Sequence, residues 1–82
     1  MHCCIRWQGQ ATIRRIDGSS ETPLRASPNL NSDELTFIPN ETVVEVLRFV
    51  ASSGISFAHI RTDEQQLGYV KKTVVYMNSR RR

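Results

Sequence analysis

Between residues 42 and 70 the chain carries two β-rich runs, TVVEVLRFV and ISFAHIR, separated by ASSG. Apolar and polar residues alternate in them as in a strand, whose successive side chains project to opposite faces. In the first run Val44 and Val46 share one face, and Val43, Leu47 and Phe49 the other; in the second, Ala58 and Ile60 lie opposite Phe57 and His59. Ser52, Ser53 and Gly54 form a polar break in which Gly54 is free to take a positive φ, so the two runs make a hairpin. A third short run, LGYV at 67–70, follows the polar link DEQQ. Together the three runs read as a meander with one buried face.

The flanks extend the same pattern. ATIRRI at 11–16 favours a first strand through its Thr and Ile content, and Asp17 with Gly18 makes a turn dipeptide. Pro23 and Pro28 make PLRASPNLNSD a long irregular connection, because each proline lacks a backbone donor and biases its predecessor toward extended geometry. Leu24 and Leu30 are expected to pin that connection to the core. In ELTFIPNE, Leu35 and Phe37 alternate with Thr36 in a strand ended by Pro39, and Pro39 with Asn40 turns the chain into the hairpin. Lys71, Lys72 and Thr73 suit one 3₁₀ turn, and Val74 to Met77 read as a closing strand. This gives five or six short strands and no α-helix: an all-β, small antiparallel barrel whose closure hides its valine-rich edges. The organisation expected is a partly ordered arm over 1–10, tied down only if Trp7 is buried, a barrel over 11–77, and a mobile basic tail over 78–82.

A chain of 82 residues is one domain that buries only about 60% of the surface exposed when unfolded, which leaves little room for a catalytic cavity. The formal net charge of +3 resides in the tail: Arg80, Arg81 and Arg82 are three of the eleven basic residues, and the other eight balance eight acids. No run reaches the roughly 18 apolar residues of a membrane span, and no secretory signal pattern opens the sequence. The chain is therefore expected to be intracellular if full length, or else a domain cut from a longer protein. Cys3 and Cys4 are adjacent, which suits neither a loop-closing disulfide nor a zinc site with its cysteines two to four residues apart. No metal and no cofactor are expected.

The order of motifs resembles the bacterial-type SH3 domain, the small barrel written SH3b. Leu24, Arg25 and Pro28 in LRASP match the family's opening V-R-x-x-P; Phe37, Ile38 and Pro39 match its apolar stretch and proline turn before a valine strand. Phe57 to Ile60 stand at its W-x-x-V, and Gly68, Tyr69 and Val70 at its G-Y-V before a 3₁₀ turn. The match covers about residues 11–77. It departs where Asn40 and Glu41 replace a glycine, Phe57 a tryptophan and Ser27 a glycine. The resemblance implies an SH3-like barrel acting as a noncatalytic binding or targeting module, attached to cell-wall enzymes in bacteria and to signalling or scaffold proteins elsewhere.

For such a module the candidate ligand groove comprises Phe57, Tyr69, His59, Arg25 and Pro28, facing a protein, a peptide or a cell-wall glycopeptide. Phe57 and Tyr69 either grip the ligand or cap the core, and His59 is either a polar contact or an exposed strand residue without a role. In an SH3-like barrel the segments 25–31, 52–57 and 69–73 border one groove. Ser56, His59 and Asp63 do not form a catalytic relay: Ser56 and His59 fall on opposite faces of a strand, and no glycine-rich loop offers an oxyanion site. The protein is not expected to be an enzyme. A second reading makes the barrel a nucleic-acid binder assisted by residues 80–82, and it gains if Arg14, Arg15, Arg25, Lys71 and Lys72 converge on one face.

Overall fold

A computed structural model describes residues 9–78. It contains the strands β1 (Gly9–Ile13), β2 (Glu21–Arg25), β3 (Glu34–Pro39), β4 (Thr42–Ser52), β5 (Ile55–Arg61), β6 (Leu67–Lys71) and β7 (Val75–Met77), with a 3₁₀ turn over Lys72–Val74. All pairings are antiparallel, in the order β3-β2-β6-β5-β4-β1-β7. Ala11, Ile13, Leu24, Ile38, Val44, Val46, Ala58, Ile60, Val70 and Val74 form a single buried cluster. One face of so wide a sheet meets in one cluster only by rolling up on itself, and the result is a small all-β barrel with one 3₁₀ turn and no α-helix among the described residues.

The central hairpin turns through Ser53 (φ 52°) and Gly54 (φ 81°), two successive positive φ values that match the twist of the flanking strands. Val44 and Val46 point inward and Val43 outward, as the alternation demands. Phe49 does not stay with Val43. A bulge at Leu47 shifts the register, so Val46 faces Ile60 but Phe49 faces Ala58, on the inner side of the hairpin. One extra residue in a strand inverts the face of everything after it.

Three further segments differ from the sequence expectation. The first strand spans Gly9–Ile13 rather than 11–16, and Ile16 is left 81% exposed. Residues 21–25, expected to be loop, form β2, which brings the strand count to seven. Pro23 is tolerated there because β2 pairs with β6 only at Arg25, so no ladder bond is lost on that side. Leu24 is fully buried, but Leu30 is 42% exposed and does not anchor its loop in the core. Trp7, Cys3, Cys4 and the arginines at 80–82 lie outside the described residues, as do most of the expected arm and tail.

Instead of Leu30, polar contacts shape the 26–33 loop. The Ala26 amide donates to Asp33 O at 3.0 Å and the Ser32 amide to Asn29 O at 3.0 Å. Asn29 Oδ1 accepts from the Asn31 amide at 2.7 Å, an Asx turn that fixes the tip. Arg25 closes the base, donating to Leu30 O at 2.9 Å and pairing with Glu34 at 3.5 Å.

Candidate functional site

The outward face of β4, β5 and β6 carries two cross-strand rows. In one, Val50, Phe57 and Lys71 stand side by side; in the other, Arg48, His59, Tyr69 and Arg25 run from β4 through β5 and β6 to β2. The second row is a pair of flat rings between two guanidinium side chains. His59 and Tyr69 stack with centroids 4.4 Å apart and planes at 9°, a consequence of direct opposition in antiparallel strands. Burial disfavours the charged imidazolium and Arg48 repels it, so His59 titrates below its ordinary value of 6.5.

Three depressions lie around this face. The first, about 320 Å³, is lined by residues from 15 to 17, by Thr22, Pro23, Arg25 and Leu30, and by Lys71, Thr73 and Val74. The second, about 490 Å³ and more open, lies between the hairpin tip (Gly54, Ile55, Ser56) and the 3₁₀ turn (Lys71, Lys72, Thr73). The third, about 270 Å³, lies between residues 28–31 of the loop and Ser52, Ser53, Ile55 and Phe57. Lys71 and Thr73 belong to the first two, Ile55 to the last two, and Leu30 to the first and third. These shared side chains join the depressions around the 25–31, 52–57 and 71–73 segments.

Of the residues singled out from the sequence, Pro28 and Arg25 line depressions, while Tyr69 and His59 form the stacked pair alongside, with Tyr69 opposite Arg25. Phe57 is corrected: it is not an open wall. Its ring is 1% exposed and lies outside the main core cluster, on the outward face beneath the 28–31 loop and the hairpin tip, where it floors the third depression. The loop closes over it because a ring of that size left in water forfeits about 1.5–3 kcal/mol. Arg48 is not among the candidate groove residues, and Ile55 and Leu30 enter only as members of the segments expected to border the groove, Leu30 being expected in the core instead. Ile55 had a legible signal, an apolar residue directly after Gly54; Arg48 had none, because only the bulge at Leu47 brings it opposite His59.

The basic side chains differ in their freedom. Arg14 forks onto Glu41 at 2.7 and 2.9 Å, Arg15 pairs with Asp17, Arg25 with Glu34 and Arg61 with Glu45. Among the described residues Arg48, Lys71 and Lys72 have no carboxylate within ion-pair distance, and the Lys72 ammonium sits 5.2 Å from the Phe49 ring centroid. No group of three metal-ligating side chains occurs among the described residues, and no helix among them is long and apolar enough to cross a membrane.

This rolled sheet, with its 26–33 loop and a 3₁₀ turn before the last strand, is the architecture of a small SH3-like binding module. The family model for the bacterial SH3 domain matches residues 20–76, and the chain belongs to that family. No curated protein and no solved structure matches it.

Proposed function

We propose that the domain holds an extended peptide, from a protein or from a cell-wall glycopeptide, along the joined depressions between the 26–33 loop, the hairpin tip and the 3₁₀ turn, without catalysis. The observation that carries this reading is the sharing of Leu30, Ile55, Lys71 and Thr73 between neighbouring depressions. An extended chain needs successive pockets along one track, with aliphatic or aromatic walls for alternate side chains. Leu30, Ile55 and Pro28 supply such walls and Phe57 the floor beneath them, while the stacked Tyr69 and His59 line none of the three depressions but stand beside Arg25, which does. A peptide or glycopeptide ligand of this kind makes the domain a targeting device for whatever it is joined to.

The nucleic-acid reading is less well supported. Of the five basic residues on which it depends, Arg15, Arg25 and Lys71 do border one depression, but Arg15 and Arg25 are neutralised by Asp17 and Glu34. Arg14 is held by Glu41 instead. Chemical-shift mapping of the full chain against a peptide panel and a soluble muropeptide tests the proposal. Perturbations are expected at Leu30, Ile55, Tyr69 and Thr73, and Tyr69→Ala is expected to weaken binding with the fold retained. Perturbations confined to residues 80–82 that vanish at moderate salt would replace the groove with nonspecific polyanion binding.

A further inference from the structure

The depression between the hairpin tip and the 3₁₀ turn has an uneven chemistry. Its lining is Gly54, Ile55, Ser56, Lys71, Lys72 and Thr73: two lysines, two hydroxyls, one aliphatic side chain and no acid. Both lysines are exposed, and neither has a carboxylate within ion-pair distance among the described residues. The nearby arginines Arg15 and Arg25 are already paired, so the free positive charge on this side of the groove is concentrated on Lys71 and Lys72. Lys72 is further steadied over the Phe49 ring, 5.2 Å from its centroid, which reduces the freedom an ammonium loses on meeting an anion.

Resting on the groove reading, we propose that the bound peptide is acidic: a carboxylate sits in the depression lined by Lys71 and Lys72, and a neighbouring aliphatic side chain packs on Ile55. Both lysines line one depression that contains no acid, so a carboxylate entering it is attracted by two ammonium groups and can accept charge-assisted hydrogen bonds from them. The hydroxyls of Ser56 and Thr73 add donors at the same place. A nucleic acid fits the depression less well, because a single strand is held by exposed rings on which bases stack. None lines this depression: Phe57 is buried, and His59 and Tyr69 are stacked on each other.

The test titrates the full chain with a short blocked peptide of alternating leucine and glutamate, and with the same peptide carrying glutamine for glutamate. The glutamate peptide is expected to shift the amides of Ile55, Ser56, Lys71, Lys72 and Thr73 and to bind about tenfold more tightly than the glutamine peptide, as two partly exposed ion pairs allow. The double variant Lys71→Gln with Lys72→Gln is expected to erase that difference. Replacing Arg80, Arg81 and Arg82 with glutamine is expected to preserve it. Equal affinity of the two peptides at these amides would overturn the acidic preference and leave the groove standing. Peptide binding that bypasses these amides and the rest of the groove would overturn the groove itself. Silence toward the glutamate peptide at millimolar concentration would sink the carboxylate site, with the panel titration deciding separately on the groove. Tighter binding of an oligothymidylate at the same two lysines would assign the site to nucleic acid instead.

Discussion

The imidazole of His59 lies flat on the phenol ring of Tyr69, with centroids 4.4 Å apart, and the stack bridges β5 and β6 at the point where β6 also meets β2. The pair is thus both a surface feature and a clasp between two halves of the sheet. Because His59 titrates below 6.5 through burial first and the charge of Arg48 second, the folded state binds this proton less readily than the unfolded chain. Its contribution is complete above pH 6.5 and is lost as pH falls through the lowered folded-state value. Urea midpoints for the wild type are expected to drop on acidification through that window, with a shallower drop in His59→Gln. In Arg48→Gln the His59 resonance, followed by NMR, is expected to titrate closer to the ordinary value.

Gly68 marks a close approach of β6 to β2. A Cβ there would lie 2.5 Å from Leu24 Cγ and 3.0 Å from Arg25 O, and Leu24 is wholly buried with nowhere to retreat. Gly68→Ala is expected to destabilise the domain by about 1–3 kcal/mol, the usual range for overpacking, measured by urea denaturation. An unchanged midpoint would mean that the two strands part without cost.

Val43 and Val44 are neighbours with opposite fates: 43% and 2% exposed. Val44→Asp places an unpaired carboxylate in the core and is expected to abolish the cooperative thermal transition. Val43→Asp is expected to stay within about 1 kcal/mol of wild type. Comparable losses in both would show that the strand does not hold its register.

Arg25 anchors the 26–33 loop through Leu30 O and Glu34. Arg25→Gln removes the fork, and hydrogen exchange at Ala26 and Ser32 is expected to accelerate while exchange at the β4–β5 ladder stays unchanged. Slow exchange at Ala26 in the variant would show that the Asx turn and serine contacts suffice.

Glu41 occupies a left-handed conformation, φ 72°, in the turn between β3 and β4. Arg14 holds its carboxylate below the usual range, chiefly through their hydrogen bonds. Glu41→Gly relieves the backbone and sacrifices only an exposed ion pair, so its melting temperature is expected to stay close to that of wild type. Glu41→Val, β-branched at a positive φ, is expected to lose more. Thermal melts of the two variants make the comparison.

The barrel was readable because alternation over 42–46, and at Ala58 and Ile60, records which side chains the sheet buries. The GYV glycine has a packing reason in Leu24. What stayed hidden depends on single-residue events that leave little trace in composition: the bulge at Leu47 that moves Phe49, still 38% exposed, to the side of Ala58 and Arg48 to the side of His59, and the pairing of β2 despite Pro23. Phe57 shows the same limit at the groove. Its place on the outward face was legible, but its burial depends on a loop folding back over it, and that loop is held by hydrogen bonds between segments of mixed polar sequence.

The pairing of β1 with β7 sets Ala11 against Met77, and the Asn78 amide donates to Gln10 O at 2.9 Å. Entry and exit of the described fold are thus side by side. A few residues of linker suffice to splice this domain into an exposed loop of another protein without stretching the host, or to join its own ends and reopen the chain at an exposed turn. A tether joined at Gly9 or at Asn78 would leave the barrel from nearly the same point on its surface.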